Sequence, residues 1–253
     1  MKRAFSLLFV LIALAALRVS AYDIHEESIK YRVMYKWGLI NKQAGSVTID
    51  TRSSGDGFFT SELTGRSASW ADHLYSVRDT LRGRIDARTY EPVFYEKIAR
   101  EDGDYKHDHI TYQRHGKEVT GQCHRIQRRK KDTKDTEIHT TLHASGMTVD
   151  ILSAFYYMRH LDYAKMQPGE SVRATIFSGK KKETLRITYH GLQSIELGRK
   201  AVETYYITFT FTGDEGKKSS DDMFAWISTD SRRVPLKMKG NLPIGSIQCF
   251  LED

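Results

Sequence analysis

The chain has 253 residues, of which 40% are hydrophobic, and its 39 Lys and Arg exceed its 32 Asp and Glu to give a formal net charge of +7. That length and composition suffice for a sizeable hydrophobic core, arranged as one β-rich domain or two smaller ones. No recognisable RNA- or DNA-binding motif accompanies the basic residues, so the sequence argues against nucleic acid as a partner.

Residues 1–21 have the pattern of a secretory signal peptide. Two basic residues precede an apolar block over residues 4–17, and small residues lead up to Ala21. The apolar block is shorter than the roughly 18 to 20 residues that a membrane-spanning helix needs. We therefore expect cleavage after about Ala21, a single β-rich domain over residues 22–253 without a transmembrane segment, and a periplasmic or secreted location.

The first part of the mature sequence predicts a β-hairpin, a further strand and a short helix. Residues 30–51 alternate apolar and polar side chains on either side of a glycine-containing turn, as half-buried strands do. A strand is expected at residues 58–63, after the turn sequence Ser-Ser-Gly-Asp-Gly. The spacing then changes, because Trp70, Leu74 and Val77 fall at intervals of four and three, which predicts a short helix.

Residues 80–143 predict a series of strands with one polar face each. These segments carry charge on one face and little apolar bulk on the other, and no long crossover helix separates them. Both features indicate an antiparallel sheet with one face in water. The strands are expected at residues 81–85, 93–99, 107–114, 121–129 and 137–142.

The strongest helix prediction covers residues 148–163. The apolar residues share one stripe, Ser145 or Thr148 can cap the N-terminus, and Asp150 suits the positive end of the helix dipole. The simplest interpretation is a mainly β fold, in which a long curved antiparallel sheet, an incomplete β-barrel, wraps around this main helix, with a second short helix. Strands are expected to follow at residues 172–177, 184–189, 205–212, 223–228, 236–239 and 246–251.

Two cysteines, Cys123 and Cys249, lie in a chain that we expect to reach an oxidising compartment, where a disulfide between them could persist. The alternative is a pair of free thiols. Cys249 shares its strand face with Ile247 and Leu251, which suits a small buried side chain. Both alternatives stay open, because the sequence does not show whether the two strands are neighbours.

No group of residues has the spacing of a catalytic or metal site. A nucleophile elbow, a phosphate loop and a dinucleotide-binding glycine pattern are missing from the sequence. Ten histidines include His107 and His109 on one strand face, and a shared metal site would need ligands from different strands. We therefore expect no enzymatic activity, no catalytic residue, no cofactor and no metal, with the histidines structural or on the surface.

Residues 223–240 place Asp230 and Arg232 between two strand patterns, which raises the question of an active site. Asp and Ser favour turn geometry because they hydrogen-bond to nearby backbone amides. Pro235 suits the start of the next strand, where it need not donate to the ladder. The sequence therefore predicts a bend between two strands at this point.

Three segments together resemble an exported Gram-negative family, domain of unknown function 3108. They are the strand with paired glycines, YKWGLINKQAG, the helix region DILSAFYYMRHLDYAKMQPGE, and AWISTDSRRVPLKMKG with the ending GSIQCFL. The resemblance spans nearly all of the mature chain and rests on structural motifs, so it implies a fold and offers no catalytic residues. By analogy, that fold is similar to the incomplete β-barrels of periplasmic lipoprotein and lipid carriers, and a fold does not fix a function.

Two functions fit this expected architecture. In the first, the inner face of the half-barrel binds a hydrophobic small molecule, an acyl or lipid-like ligand. In the second, the protein is an envelope scaffold that presents the polar strands of residues 80–143 to a protein partner. An open pocket between helix and sheet favours the first, and a filled core with an exposed apolar patch favours the second. The candidate lining residues, which could equally be core packing, are Trp37, Phe155, Tyr156, Phe209, Phe211 and Trp226.

Overall fold

A computed structural model describes residues 23–213 and 220–252. The expected signal peptide lies outside these residues, and no helix within them is long and apolar enough to cross a membrane. The described part is mainly β, as predicted, with two helices and fifteen strands. The helices are α1 Ser69–Asp72 and α2 Ile151–His160. The strands are β1 Glu27–Trp37, β2 Ile40–Ser53, β3 Phe58–Ser67, β4 Val77–Asp86, β5 Pro92–Glu101, β6 Asp104–His115, β7 Glu118–Arg128, β8 Thr136–Ser145, β9 Thr148–Val149, β10 Ser171–Ser178, β11 Lys181–Leu197, β12 Lys200–Gly213, β13 Met223–Ser228, β14 Pro235–Asn241 and β15 Ser246–Glu252.

All fifteen strands belong to one sheet, in the order β8-β7-β6-β5-β4-β3-β2-β1-β15-β14-β13-β12-β11-β10-β9. The sheet has two arms, one from β1 to β8 and the other from β15 to β9, which join where the N-terminal strand β1 pairs with the C-terminal strand β15. The strand pairs are antiparallel except for the short pairing of β9 with β10, which is parallel. The predicted antiparallel sheet is therefore confirmed.

The sheet curls into a nearly closed barrel with one seam between its edge strands, β8 and β9. Only Gly146 and Met147 separate these two strands along the chain, so the chain itself crosses the seam at one end. Gly146 N donates to the carbonyl oxygen of Lys117 over 2.8 Å, and the carbonyl oxygen of Met147 accepts from Thr175 N over 2.9 Å. These bonds tie the β6–β7 turn on one side of the seam to β10 on the other.

The strands of the barrel alternate between an apolar inner face and a polar outer face. In β4, Leu81 and Ile85 are buried with Gly83 between them, while Arg82 and Arg84 point outward. A period of two is what a sheet with one wet face requires, and the expectation of such a sheet is confirmed.

Helix α2 lies inside the barrel and is buried on nearly all sides. Leu152 and Tyr156 pack against the arm that runs from β1 to β8, whereas Ala154, Tyr157 and Met158 pack against the other arm. The sequence predicted a single apolar stripe, but the curled sheet covers the opposite side of the helix as well.

Two predicted helix boundaries are corrected. The N-cap of α2 is Asp150 and not Ser145 or Thr148, because its Oδ1 accepts from Leu152 N over 2.8 Å and from Ser153 N over 2.7 Å. The short helix expected to extend to Val77 ends at Asp72, since Val77 already begins β4.

The disulfide alternative is not realised. Cys123 in β7 and Cys249 in β15 both face inward, but six strands separate β7 from β15 in the sheet and both thiols are free. Burial raises the pKa of each thiol to about 11. Both cysteines therefore stay protonated near neutral pH and act as small apolar core residues.

Candidate functional site

Four of the six candidate lining residues belong to the core. Phe155 and Tyr156 are buried on α2, and the Tyr156 hydroxyl lies 2.6 Å from Ser61 Oγ. Phe209 and Phe211 are half-buried on the inner face of β12 and pack against the cluster that contains Tyr157 and Met158 of α2. The helix thus occupies the space in which the sequence predicted an apolar ligand beside these four aromatic side chains.

The two tryptophan candidates do not line the interior. Trp226 lies on the outer face of β13, where its ring stacks on Tyr206 with centroids 5.2 Å apart and its Nε1 donates to Gln193 Oε1 over 2.6 Å. Its neighbours Ala225 and Ile227 are the residues that face inward. Trp37 lies at the end of β1 and is 54% exposed.

The segment before β14 is a bend held by local hydrogen bonds of Asp230, as predicted. Asp230 Oδ1 accepts from Ser228 Oγ over 2.7 Å and from Arg232 N over 3.1 Å. Arg232 pairs loosely with Asp230 at the surface, with 3.4 Å between Nε and Oδ2. The residue that follows, Arg233, is in a different environment.

A pocket of about 440 Å³ lies between the segment after α2 and the bulged part of β11. Gly169 N donates to the Tyr189 carbonyl over 2.7 Å, which fastens this segment to β11. The register of β11 against β12 shifts between Tyr189 and Leu192, and the resulting bulge leaves Leu192 55% exposed at the mouth. The pocket is lined by Tyr163, Ala164, Met166, Pro168, Tyr189, Gly191, Leu192, Glu203, Tyr205 and Thr229.

Three tyrosine rings form the wall of this pocket. Ring centroids lie 5.1 Å apart for Tyr163 and Tyr205, 5.5 Å for Tyr163 and Tyr189, and 6.1 Å for Tyr189 and Tyr205. The Tyr163 hydroxyl donates to the Met158 carbonyl at the end of α2 over 2.5 Å. Burial raises the pKa of Tyr163 well above its usual range, so this hydroxyl is neutral. The wall is therefore aromatic, uncharged and anchored to the buried helix.

Arg233 lies behind this wall with its guanidinium 4.6 Å from the centroid of the Tyr205 ring. The residue is only 1% exposed, and neither Nη1 nor Nη2 has a hydrogen-bond partner among the described residues. Its φ of 46° lies in the left-handed region that residues other than glycine rarely adopt. A strained backbone thus holds a positive charge in the interior beside the pocket.

This arrangement suits a ligand with an apolar body and an anionic group. Aromatic and aliphatic side chains supply the contact surface, and a guanidinium is the side chain best suited to a carboxylate or phosphate. Neither part was predicted from the sequence, because two adjacent arginines in a bend do not show which one is buried. The tyrosines come from three separate segments and share no local pattern.

A second cavity, a groove of about 490 Å³, lies on the outer face over β2 to β5. Two of its arginines have acidic partners: Arg82 Nε lies 2.6 Å from Glu62 Oε2 and its Nη1 lies 3.1 Å from Glu96 Oε2, and Arg84 pairs with Asp56. Although larger, this groove has a single aromatic side chain on its lining, Phe94, and the pocket with three tyrosine rings and the buried Arg233 beside it is the stronger candidate.

Comparison with known proteins agrees with this architecture. A crystal structure of a β-barrel-like protein of domain of unknown function DUF1849 from Brucella abortus has a TM-score of 0.64 and 10% sequence identity, and the match covers 92% of this chain and 98% of that chain. No functionally curated protein matches the chain. The model of the family described as protein of unknown function (DUF3108) matches residues 30–252. The chain therefore belongs to the DUF3108 family.

Proposed function

We propose that the protein is exported to the cell envelope and there binds, without catalysing a reaction, a small amphipathic molecule in the pocket of Tyr163, Tyr189 and Tyr205. The molecule has an acyl or other lipid-like body and an anionic head. The signal-peptide pattern of residues 1–21 supports the location, and the pocket volume of about 440 Å³ falls in the range of small-molecule sites.

The observation that carries this proposal is the buried guanidinium of Arg233, whose Nη1 and Nη2 have no hydrogen-bond partner among the described residues. Burying a charge costs several kcal/mol when its hydrogen-bonding groups stay unsatisfied, and backbone strain such as the positive φ of Arg233 collects at binding sites. An anion held against Tyr205 would interact with Arg233 through a medium of low dielectric constant, where charges attract strongly. Binding would therefore offset an energy deficit that the empty protein carries.

The charged side chain on the pocket lining indicates how the ligand is oriented. Glu203 is exposed on the lining, and its carboxylate repels an anion at that side. The head would then lie toward Arg233, and the apolar body would extend past Leu192 to the mouth.

Calorimetry on the delipidated mature protein tests the proposal with decanoate and decan-1-ol, which share a chain length and differ in charge. Decanoate should bind more tightly than the alcohol, and Arg233→Met should abolish the difference. Leu192→Asp at the mouth should weaken decanoate binding by about tenfold or more, equivalent to about 1.4 kcal/mol. The matched control, Leu39→Asp, changes a fully exposed leucine of the β1–β2 turn and should have no effect. Binding that is insensitive to Leu192→Asp would exclude the pocket.

A second candidate function, an envelope scaffold or interaction module, is favoured by an exposed apolar patch at two adjacent turns. The β1–β2 and β14–β15 turns meet, since Lys36 pairs with Ser246 and the Tyr35 hydroxyl donates to the Ile244 carbonyl over 3.2 Å. Patches of this kind mark interaction sites. The large apolar side chains exposed there are Trp37, Leu39, Ile40, Leu242 and Ile244.

The same two variants separate the two functions. If the patch docks onto an envelope partner, Leu39→Asp should release the protein from isolated envelopes while Leu192→Asp should not. Retention of both variants on envelopes would count against the scaffold function. This outcome would not affect the conclusion from decanoate binding, which tests the pocket alone.

A further inference from the structure

A cluster of potential metal ligands lies on the outer face of the other arm, away from the aromatic pocket. His124 of β7 and His139 of β8 are direct cross-strand partners, and their rings stack with centroids 4.5 Å apart and 5° between the planes. Glu137 precedes His139 by two residues and therefore lies on the same face of β8. Three side chains from two strands thus meet on one surface.

The ligand atoms of these side chains lie close together. Glu137 Oε1 lies 2.6 Å from His124 Nε2 and 3.4 Å from His139 Nε2, and the ligand atoms all fall within 4.8 Å of one another. Zinc binds imidazole nitrogen at about 2.0–2.1 Å and carboxylate oxygen at about 2.0–2.2 Å, which puts neighbouring ligands of a tetrahedral site roughly 3.3 Å apart. The distance of 3.4 Å between Glu137 and His139 already fits, and the other two pairs of ligand atoms reach this spacing by rotation of exposed side chains.

We propose that His124, Glu137 and His139 form a binding site for a late first-row divalent cation, for which Zn²⁺ is the reference ion. Two imidazoles and one carboxylate suit Zn²⁺, Cu²⁺ and Ni²⁺, whereas Mg²⁺ and Ca²⁺ prefer oxygen ligands alone. Three protein ligands leave at least one coordination position for water or for a group from another molecule.

The strand pairing sets the positions of the two histidines before an ion binds. The β7–β8 register sets His124 opposite His139, and the partly exposed side chains, with relative exposures of 36% for His124, 61% for Glu137 and 72% for His139, leave the site open to solvent. His109 of β6 is the partner of His124 on its other side. Its ring packs edge-on against Phe94 with centroids 5.1 Å apart, so His109 does not belong to the ligand set.

His143 provides a matched control on the same strand and face. It lies two outward positions beyond His139, opposite Thr120, and its Nδ1 is 3.4 Å from Thr120 Oγ1. A general affinity of surface histidines for metal would involve His143 as much as His139, whereas the proposed site does not use it.

Calorimetric titration of the full mature chain with ZnCl₂ tests the proposal, on protein purified without a histidine tag. One equivalent of Zn²⁺ should bind in the wild type and in His143→Ala. Each of His124→Ala, His139→Ala and Glu137→Gln should weaken binding by about tenfold or more, since each removes one ligand. Circular dichroism should show an unchanged fold, because all three side chains are on the outer face. Spectra of bound Co²⁺ should report nitrogen ligands, and those bands should be lost in the two histidine variants. Failure of the wild type to bind one equivalent, or an equal loss in His143→Ala, would overturn the proposal.

Discussion

The ring of Phe177 in β10 lies directly over Gly121 in β7, although these two strands share no ladder hydrogen bonds. A Cβ atom added at Gly121 would lie 2.6 Å from Cδ2 of Phe177. The Phe177 side chain is fully buried and stacks on Tyr112 with ring centroids 5.7 Å apart. Side-chain packing therefore closes the barrel next to the seam, and glycine is the residue that leaves the space.

Because the Phe177 ring fills the space over Gly121, Gly121→Ala should destabilise the protein by about 1–3 kcal/mol, the usual effect of overpacking a filled core. Gly65→Ala is the control, because Gly65 is also buried and a Cβ there would meet nothing closer than Val47 Cγ2 at 3.9 Å. Urea unfolding should show a lower midpoint for Gly121→Ala and an unchanged or higher one for Gly65→Ala. Equal midpoints for the two variants would contradict this account of the seam.

Two buried tyrosines, Tyr156 in α2 and Tyr95 in β5, differ in their hydrogen bonds and should respond differently to removal of the hydroxyl group. The Tyr156 hydroxyl lies 2.6 Å from both Thr51 Oγ1 and Ser61 Oγ, so Tyr156→Phe should cost about 1–3 kcal/mol by leaving those hydroxyls unsatisfied. The Tyr95 hydroxyl is buried and has no hydrogen-bond partner among the described residues, so Tyr95→Phe should be neutral or stabilising. Thermal unfolding of both variants checks the contrast, and comparable losses in the two would refute it.

The N-cap of α2 predicts a pH dependence. Burial raises the pKa of Asp150 to about 7, whereas an unfolded chain has an Asp pKa of about 3.9. Between these values the folded protein holds a proton that the unfolded chain has released. The contribution of the protonated Asp150 to the free energy of unfolding is therefore greatest below about pH 4. It falls as pH rises toward 7, by up to about 1.4 kcal/mol per pH unit.

Asp150→Asn keeps a good N-cap and cannot titrate. The free energy of unfolding of the wild type, measured relative to this variant, should fall between about pH 4 and pH 7 and then become constant. A difference that does not vary across this range would show that Asp150 is not protonated in the folded protein.

The ion pair at the C-terminal end of α2 predicts a large loss when one partner is removed. Arg159 Nη1 lies 2.6 Å from Glu27 Oε1, Nη2 lies 3.1 Å from Oε2, and the Arg159 side chain is fully buried. Glu27→Ala should destabilise the protein by about 3–5 kcal/mol because it leaves that charge in the interior. Glu26→Ala, which removes an exposed acceptor for Ser53 N, should cost far less. Chemical denaturation distinguishes the two, and similar losses would show that the pair contributes little.

Local pattern was enough to predict most of the elements. Alternation along each strand and the apolar spacing of residues 148–163 depend only on the residues themselves, and the strands and main helix lie close to where that periodicity predicts them. Antiparallel pairing also followed, because no crossover helices separate the strands. The bend at Asp230 was predictable since turn chemistry involves residues two positions apart.

The tertiary structure alone decided which side chains meet. Trp226 faces outward because its neighbours Ala225 and Ile227 are buried in the same core cluster as residues of α2, and a one-residue change of register would reverse every face of a strand. The burial of Arg233 depends on the curl of the sheet, and the meeting of His124 with His139 depends on the register of one hairpin. Composition and periodicity thus determined a curved antiparallel sheet around a helix. The pocket and the histidine cluster arose from long-range pairing, since no local sequence pattern brings their residues together.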